Sequence, residues 1–392
     1  VPGVWEQVRP NYDGVAWYRR SFDVPGTWIG QRTVRLHFGA VMYFSEVYLN
    51  GEKIGEHEGG HTPFEFDISD TAKAGNNVVI LRVIGPPMNE EIEGFRSGAP
   101  LNQGECPVGK AGWYYNYGGM CGDVELRATD PVYVEDIYVQ PFASKKQAVV
   151  NVTVVNRDKA GQYAIACRVT GSDKSDRAAA VEEQAVRLKR GTNNVTLKMS
   201  IRGPRLWSLE DPHLYTAEVT VANDERTCDV HAARFGMRDF TLKKTGFHLN
   251  GEKVILRGML QQGHYARILA FPHNKAMARK ELKLMKDNGF NFLRAHLKPV
   301  APYYLDLCDE LGILVEAEPA IGWISNSPDT ERRCANEIEG LIKKDRNHPS
   351  VVFWCLMNEA YHFRGFDLPT IKKMTKRLAT RARKLDPTRL MM

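Results

Sequence analysis

An amide and a carboxylate, Asn358 and Glu359, stand side by side at the end of the stretch His348-Pro349-Ser350-Val351-Val352-Phe353-Trp354-Cys355-Leu356-Met357. The stretch opens on a turn signal and continues as an apolar run rich in β-branched and aromatic residues, the pattern of a strand buried on both faces. A polar pair at the C-terminal tip of such a strand does nothing for packing. In a β/α barrel that tip faces the active site, so the pair reads as catalytic. The competing reading is a strand-to-helix cap, because such residues are common near helix starts. Glu318 ends the run 313–318, with Glu316 on the same face one step deeper by the period of two. Arg294, in the run 291–297, could orient a carboxylate; an internal salt bridge carries equal weight. His264 follows the first strand of this region together with Gln262, Gly263 and Tyr265, and Tyr361 and His362 follow the Asn-Glu pair. All stand where a substrate would be read.

These residues need a scaffold, and the sequence supplies one from residue 254 onward. Apolar runs at 254–260, 291–297, 313–318 and 351–357 alternate with helical patterns, which argues for βα units and a parallel sheet. The first helix is expected over 275–288 with Met277, Leu284 and Met285 on its buried face and Gly289 as its stop. The second starts at Pro302, shows Tyr304, Leu307, Cys308 and Leu311 at i, i+3, i+4, i+7, and ends at Gly312. The third carries Cys334, Ile338, Leu341 and Ile342 at the same spacing, and the fourth Ile371, Met374, Leu378 and Leu385. The lysines and arginines of 372–384 read as the solvated face of that last helix. Residues 389–392 look like the start of a fifth strand.

Upstream the pattern is all β. Runs at 15–24, 33–38, 45–49, 64–68 and 77–83, with Asn50-Gly51 as a hairpin cue, suggest a sandwich over 1–130. Runs at 133–140, 148–155, 163–169, 194–201 and 214–221 suit an immunoglobulin-like sandwich over 131–235. Between residues 85 and 122 lies a long connection carrying Trp113-Tyr114-Tyr115-Asn116-Tyr117. Its rings could stack on sugars; closure of the domain's own core, or packing on its neighbour, is the favoured reading.

The run ending in Asn358-Glu359 resembles the strand-four signature of glycoside hydrolase family 2, and the resemblance extends over nearly the whole chain. Trp17-Tyr18-Arg19-Arg20, the stretch from Leu36-His37-Phe38-Gly39-Ala40 through Tyr48-Leu49-Asn50-Gly51, and Gly118-Gly119 are similar to the jelly-roll domain that opens such enzymes. Pro204-Arg205-Leu206-Trp207 with Pro212-His213-Leu214-Tyr215 is similar to their middle domain. The resemblance implies a jelly-roll β-sandwich, an immunoglobulin-like β-sandwich, and the first half of a TIM (β/α)8 barrel over 236–392. It implies a retaining β-glycosidase in which Glu359 is the acid/base and Asn358 holds the sugar 2-hydroxyl, with Arg294, His296, Glu318, His264 and Tyr361 as substrate contacts. Ala295-His296-Leu297-Lys298-Pro299 departs from the family's usual Ser-His-Tyr-Pro, which loosens the assignment of His296. Partly apolar surroundings are expected to raise the Glu359 pKa and hold its proton. The family nucleophile, a strand-seven glutamate, would lie beyond residue 392, and the polypeptide by itself is expected to be inactive.

Composition bounds the remaining classes. The chain has 392 residues, a net charge of +6 and 26% charged residues, which favours an acidic sugar only slightly. Basic residues are scattered outside 372–384, so nucleic acid is not expected as a partner, and no apolar run is long enough to cross a bilayer. Seven cysteines without C-x-x-C spacing read as buried thiols. No cofactor is required; a divalent metal at Glu318, as in some galactosidases, is compatible but unsupported. The expected partner is a carbohydrate, and homo-oligomers are frequent in the family. A β-galactosidase is the leading expectation, a β-glucuronidase the next. A carbohydrate-binding protein without catalysis, an assembly module, and an inverting enzyme with carboxyls about 6.5–9.5 Å apart are the alternatives.

Overall fold

A computed structural model describes residues 2–10, 12–87, 103–110, 113, 114, 116–172 and 179–392. The first sandwich pairs Gly14–Val24, Gly75–Gly85, Phe44–Leu49 and Glu52–Glu58 in one antiparallel sheet, and Val124–Thr129, Thr33–Phe38 and Phe64–Asp67 in the other. Alternate side chains meet between the sheets, among them Val34, Leu36, Phe38, Val47, Leu49, Val79, Leu81 and Val83. Asn50 and Gly51 both take positive φ, the geometry that a two-residue hairpin demands.

In the second sandwich, Val132–Phe142, Gln147–Asn156 and Gly191–Ser200 face a four-stranded sheet. That sheet includes Ala180–Leu188 and Thr227–Phe235, two strands not expected from the sequence because most of their residues are exposed and no apolar alternation marks them.

The third unit is a parallel sheet of Gly258–Gln261, Phe292–Ala295, Leu314–Ala317, Val351–Trp354 and Leu390–Met391, in that order. Here these are barrel strands one to five. Four helices cover it: α1 (Lys275–Asp287), α2 (Pro302–Leu311), α3 (Thr330–Asp345) and α4 (Leu368–Leu385). Their ends follow local chemistry. The Asn274 side chain accepts the Met277 amide at 2.8 Å, Asp367 accepts the Thr370 amide at 2.7 Å, and Gly312 closes α2 at φ 66°. Strands three and four, Leu314–Ala317 and Val351–Trp354, are buried at every position, while Phe292, Arg294, Leu390 and Met391 are partly buried.

Two expectations are corrected here. The first strand is shorter than 254–260; regular pairing begins only at Gly258. The buried face of α1 is Ala278, Leu282 and Met285, while Met277 and Leu284 are exposed. Small Ala278 lets α1 approach the rest of the unit. Leu284 instead lies along the open edge of the sheet, where Ile255, Met259 and Leu260 are exposed as well.

The two sandwiches grip opposite ends of the barrel strands. From the second domain and its linker, Arg238 donates to the Pro349 and Val351 carbonyls at 2.9 and 2.6 Å, and Tyr138 donates to Asp386 at 2.8 Å. This holds the N-terminal end of strand four. From the first domain, Gly109–Lys110 lies parallel to Ile321–Gly322, which follows the C-terminal end of strand three. Glu58 of that domain also takes the Arg333 guanidinium of α3 at 2.7 Å.

Candidate active site

Strand four ends at Trp354, but the chain runs on in the same direction for four residues. The Asn358 amide donates to the Ile321 carbonyl at 2.9 Å, and Asn358 bridges Gly322. The next residue, Glu359, turns sharply at φ 49° and ψ 48° and heads a short turn, Ala360–His362. A left-handed backbone at a residue other than glycine costs about 1–2 kcal/mol, and such strain collects at functional sites. Trp323 in the neighbouring loop adopts φ 51° as well. The two strained residues face each other, and the Trp323 indole N–H donates to Glu359 Oε2 at 2.7 Å.

Below this pair lies a network from three strand tips. The Arg294 guanidinium at strand two donates through Nε to Glu318 Oε1 and through Nη2 to Asn358 Oδ1, the latter at 2.9 Å. His296 Nδ1 lies 3.2 Å from the other Glu318 oxygen. Glu316 stands 3.4 Å from Arg294 Nε. Burial pushes its carboxyl up to about 7, the Glu318 charge adds to the rise, and Arg294 opposes it. Arg294 closes the internal ion pair that the sequence allowed, to Glu318, and also holds the Asn358 side-chain oxygen, a contact not read from the sequence. The Asn358 Nδ2 group is buried and has no partner among the described residues, so this donor is fixed and available beside Glu359.

The expected environment of Glu359 is overturned. Its carboxylate is not held in apolar surroundings, and its pKa is not raised. A hydrogen bond from the Lys110 ammonium, 2.9 Å from Oε2, holds it below the usual glutamate value, with the Trp323 indole, the Lys110 charge and the His362 ring acting in the same direction against burial. Lys110 belongs to the first sandwich, and no sequence signal marks it. Trp323 was also missed, although its place in the loop after strand three of a barrel could have drawn notice.

The aromatic stretch divides. Tyr117 is buried and packs as favoured, its hydroxyl 3.2 Å from His61 Nε2, whereas Tyr115 lies outside the described residues. Tyr114 and Trp113 instead enter the site. The Tyr114 hydroxyl accepts from Gln262 at 3.2 Å, and its ring meets His264 at 5.0 Å and His296 at 6.2 Å. Trp113 is 68% exposed and lies 5.6 Å from the Trp323 ring. Tyr361, 73% exposed, sits on the rim against His362 at 4.4 Å. Glu359, Asn358, Arg294, Glu318 and His296 thus form one constellation, His264 joins it through Tyr114, and Tyr361 stands at the edge.

Glu316, Glu318 and Cys355 place three ligand atoms within 4.8 Å of one another. The Arg294 guanidinium already supplies the positive charge between these carboxylates, so a divalent ion there would have to displace it.

The chain matches three family models in order. Residues 4–98 match the glycosyl hydrolases family 2 sugar-binding domain, 132–238 the family 2 model, and 240–392 the family 2 TIM barrel domain. Among curated proteins it is 30% identical over 404 residues to a beta-glucuronidase of Bacteroides fragilis, covering 96% of this chain and 54% of that protein. It is 29% identical over 360 residues to a beta-galactosidase of Bacteroides ovatus, covering 88% and 40%. A solved structure of Parabacteroides merdae beta-glucuronidase superimposes with a TM-score of 0.81 at 25% identity, over 100% of this chain and 50% of that one. The chain spans about a third to a half of the length of the first curated relatives that it matches.

Proposed function

This chain belongs to glycoside hydrolase family 2, and from that premise we propose that it carries the acid/base half of a retaining β-glycosidase that removes terminal β-linked sugars. The observation that carries the reading is the convergence of Arg294, Glu318, Asn358 and Glu359 on the tips of three neighbouring parallel strands. In this reading Glu359 protonates the glycosidic oxygen as the bond to the leaving group breaks, and afterwards takes a proton from the attacking water. Asn358 donates Nδ2 to the sugar 2-hydroxyl, with its carbonyl oxygen fixed by Arg294. Glu318 and His296 line the floor, His264 and Tyr114 one wall, and Tyr361 the rim. The partner carboxylate is the strand-seven glutamate that the family resemblance implies, about 5–5.5 Å from Glu359 in a retaining site. No step is assigned to a metal, because the Arg294 guanidinium balances the buried carboxylates.

Relatives named beta-galactosidase and beta-glucuronidase both match the chain, so a galactoside and a glucuronide are the two sugars to separate. The test uses the polypeptide with the whole barrel and a panel of nitrophenyl β-glycosides. One sugar should be released, and Glu359→Gln should lose about 100-fold or more in kcat/KM on a poor leaving group. The loss should shrink on a dinitrophenyl leaving group, which departs without a proton. A wild type that hydrolyses none of the panel while binding glycans would leave the carbohydrate-binding alternative standing.

A further inference from the structure

Lys110 reaches Glu359 from another domain, and its position is built rather than incidental. Its backbone is paired with Ile321–Gly322. Its side chain is only a tenth exposed, and its ammonium lies 5.7 Å from the Tyr114 ring centre and 5.5 Å from that of Trp323. Among the described residues Glu359 is the one carboxylate that it pairs with.

This arrangement conflicts with the acid role of Glu359. A general acid must carry its proton when the leaving oxygen departs. Protonating Glu359 would strip Lys110, whose own side chain is a tenth exposed, of its counter-charge, and a largely buried, unpaired ammonium is disfavoured. Next to the Lys110–Glu359 pair the exposed Trp113 ring lies 5.6 Å from Trp323, and His362 lies 4.9 Å from Trp323 and 4.4 Å from the exposed Tyr361. Aromatic faces of this kind suit a sugar ring on the leaving-group side.

We propose that Lys110 is a specificity-determining residue that exchanges partners during the reaction, releasing Glu359 to bind an anionic group, a carboxylate or a sulfate ester, on the leaving-group sugar. The inference rests on the reading of Glu359 as the acid/base. Charge and protons balance: the ammonium keeps its three protons, one anion enters, and Glu359 takes one proton from solvent. That proton passes to the glycosidic oxygen as the carbon–oxygen bond breaks. Acidic leaving groups therefore raise the share of Glu359 that carries its proton, and neutral ones react through the smaller share that is protonated while Lys110 stays paired. The groups that lower the Glu359 titration are Lys110, the Trp323 indole and His362, against burial, and the Tyr114 phenol beside Lys110 is itself raised by burial and by the Glu359 charge.

The test compares β-disaccharides with the sugar that the whole-barrel polypeptide releases from nitrophenyl glycosides at the non-reducing end. Their reducing-end glucose carries at C6 a hydroxyl, a carboxylate or a sulfate. The wild type should prefer an acidic member by about tenfold or more in kcat/KM, and the preferred member names the anion. Lys110→Met should bring the ratio to within about twofold, and Lys110→Arg should keep most of it. With the neutral disaccharide, Lys110→Met should move the basic limb of the pH profile upward, since Glu359 loses the cation that holds its pKa down. Equal losses on all three substrates in Lys110→Met, or no acidic preference in the wild type, would overturn the proposal. A second arm needs no turnover. In Glu359→Gln, glucuronic acid and glucose 6-sulfate, titrated by NMR, should bind at least tenfold more tightly than glucose, and Glu359→Gln with Lys110→Met should lose the difference. Persistence of the difference in the double variant also overturns it. If the binding difference follows Lys110 while no glycoside is hydrolysed, the hydrolase reading fails and the anion site stands.

Discussion

At the scale of single residues the site depends on what each polar atom is given to do. Asn358 has its oxygen occupied by Arg294 and its buried nitrogen without a partner among the described residues, so the amide can serve one further acceptor in one direction. Asn358→Ala is expected to cost roughly 100-fold in kcat/KM, because hydrogen bonds to the 2-hydroxyl strengthen in the transition state. A 2-deoxy glycoside should be slow with the parent and no slower with the variant, since both changes remove the same bond; fully additive losses in that cycle would dissociate Asn358 from the 2-hydroxyl. The type and order of these residues could be read from the sequence, because an amide and a carboxylate have no packing role at the end of an apolar strand. The protonation state of Glu359 could not. It is set by Lys110, whose place beside Ile321–Gly322 is decided by how two domains meet, and no local pattern encodes that.

At the scale of elements, the αL turn at Glu359 and the strand beneath it must be held at both ends. The N-terminal end of strand four is fixed by Arg238, whose buried guanidinium spans the Pro349 and Val351 carbonyls. Burial, followed by the charge of Arg389, lowers the Arg238 pKa to about 9, still above neutrality, so the cation persists at working pH. Arg238→Met should destabilise the chain by about 1–3 kcal/mol, since the buried Pro349 carbonyl loses this donor and the Val351 carbonyl keeps Arg389 Nε at 3.3 Å; a lower urea midpoint with an unchanged slope is the expected result, and a change within about 0.5 kcal/mol would show that these bonds are replaced by others. Helices α2, α3 and α4 were legible because Cys308, Cys334, Ile338, Met374 and Leu378 bury the faces that their spacing marks. Helix α1 misled because Met277 and Leu284 repeat at helical spacing yet lie exposed, Leu284 at the open edge of the sheet. Ala180–Leu188 and Thr227–Phe235 escaped notice for the converse reason. They are strands chiefly by virtue of their neighbours' backbone pairing, with core contacts limited to Leu188 and Phe235 and the partly buried Val186 and Ala233.

At the scale of the whole molecule, the three domains form one device only if the first stays seated on the barrel, since it delivers Lys110, Trp113 and Tyr114. The seat is polar and buried. Glu58 takes Arg332 and Arg333 of α3, and the Gly60 amide donates to Glu337 Oε1 at 2.9 Å. Burial pushes the Glu337 carboxyl up to about 7, the charge of Glu58 adds to the rise, and the Gly60 amide opposes it. A carboxyl whose folded pKa lies above its unfolded value makes the folded state bind more protons between the two. The penalty from Glu337 is thus absent below about pH 4.5, grows as pH rises, and is complete above about pH 7. Glu337→Gln keeps an acceptor for Gly60 and carries no charge, so its stability relative to the parent isolates this one group from the other titrating residues. The variant should be more stable than the parent by about 1–3 kcal/mol at pH 8, and the gain should fade toward pH 5. Paired urea titrations at the two pH values measure it, and a gain of equal size at both would mean that Glu337 does not titrate in this range. The interface would then be tuned by the Glu58–arginine cluster alone, and the delivery of Lys110 to Glu359 would not respond to pH through this contact.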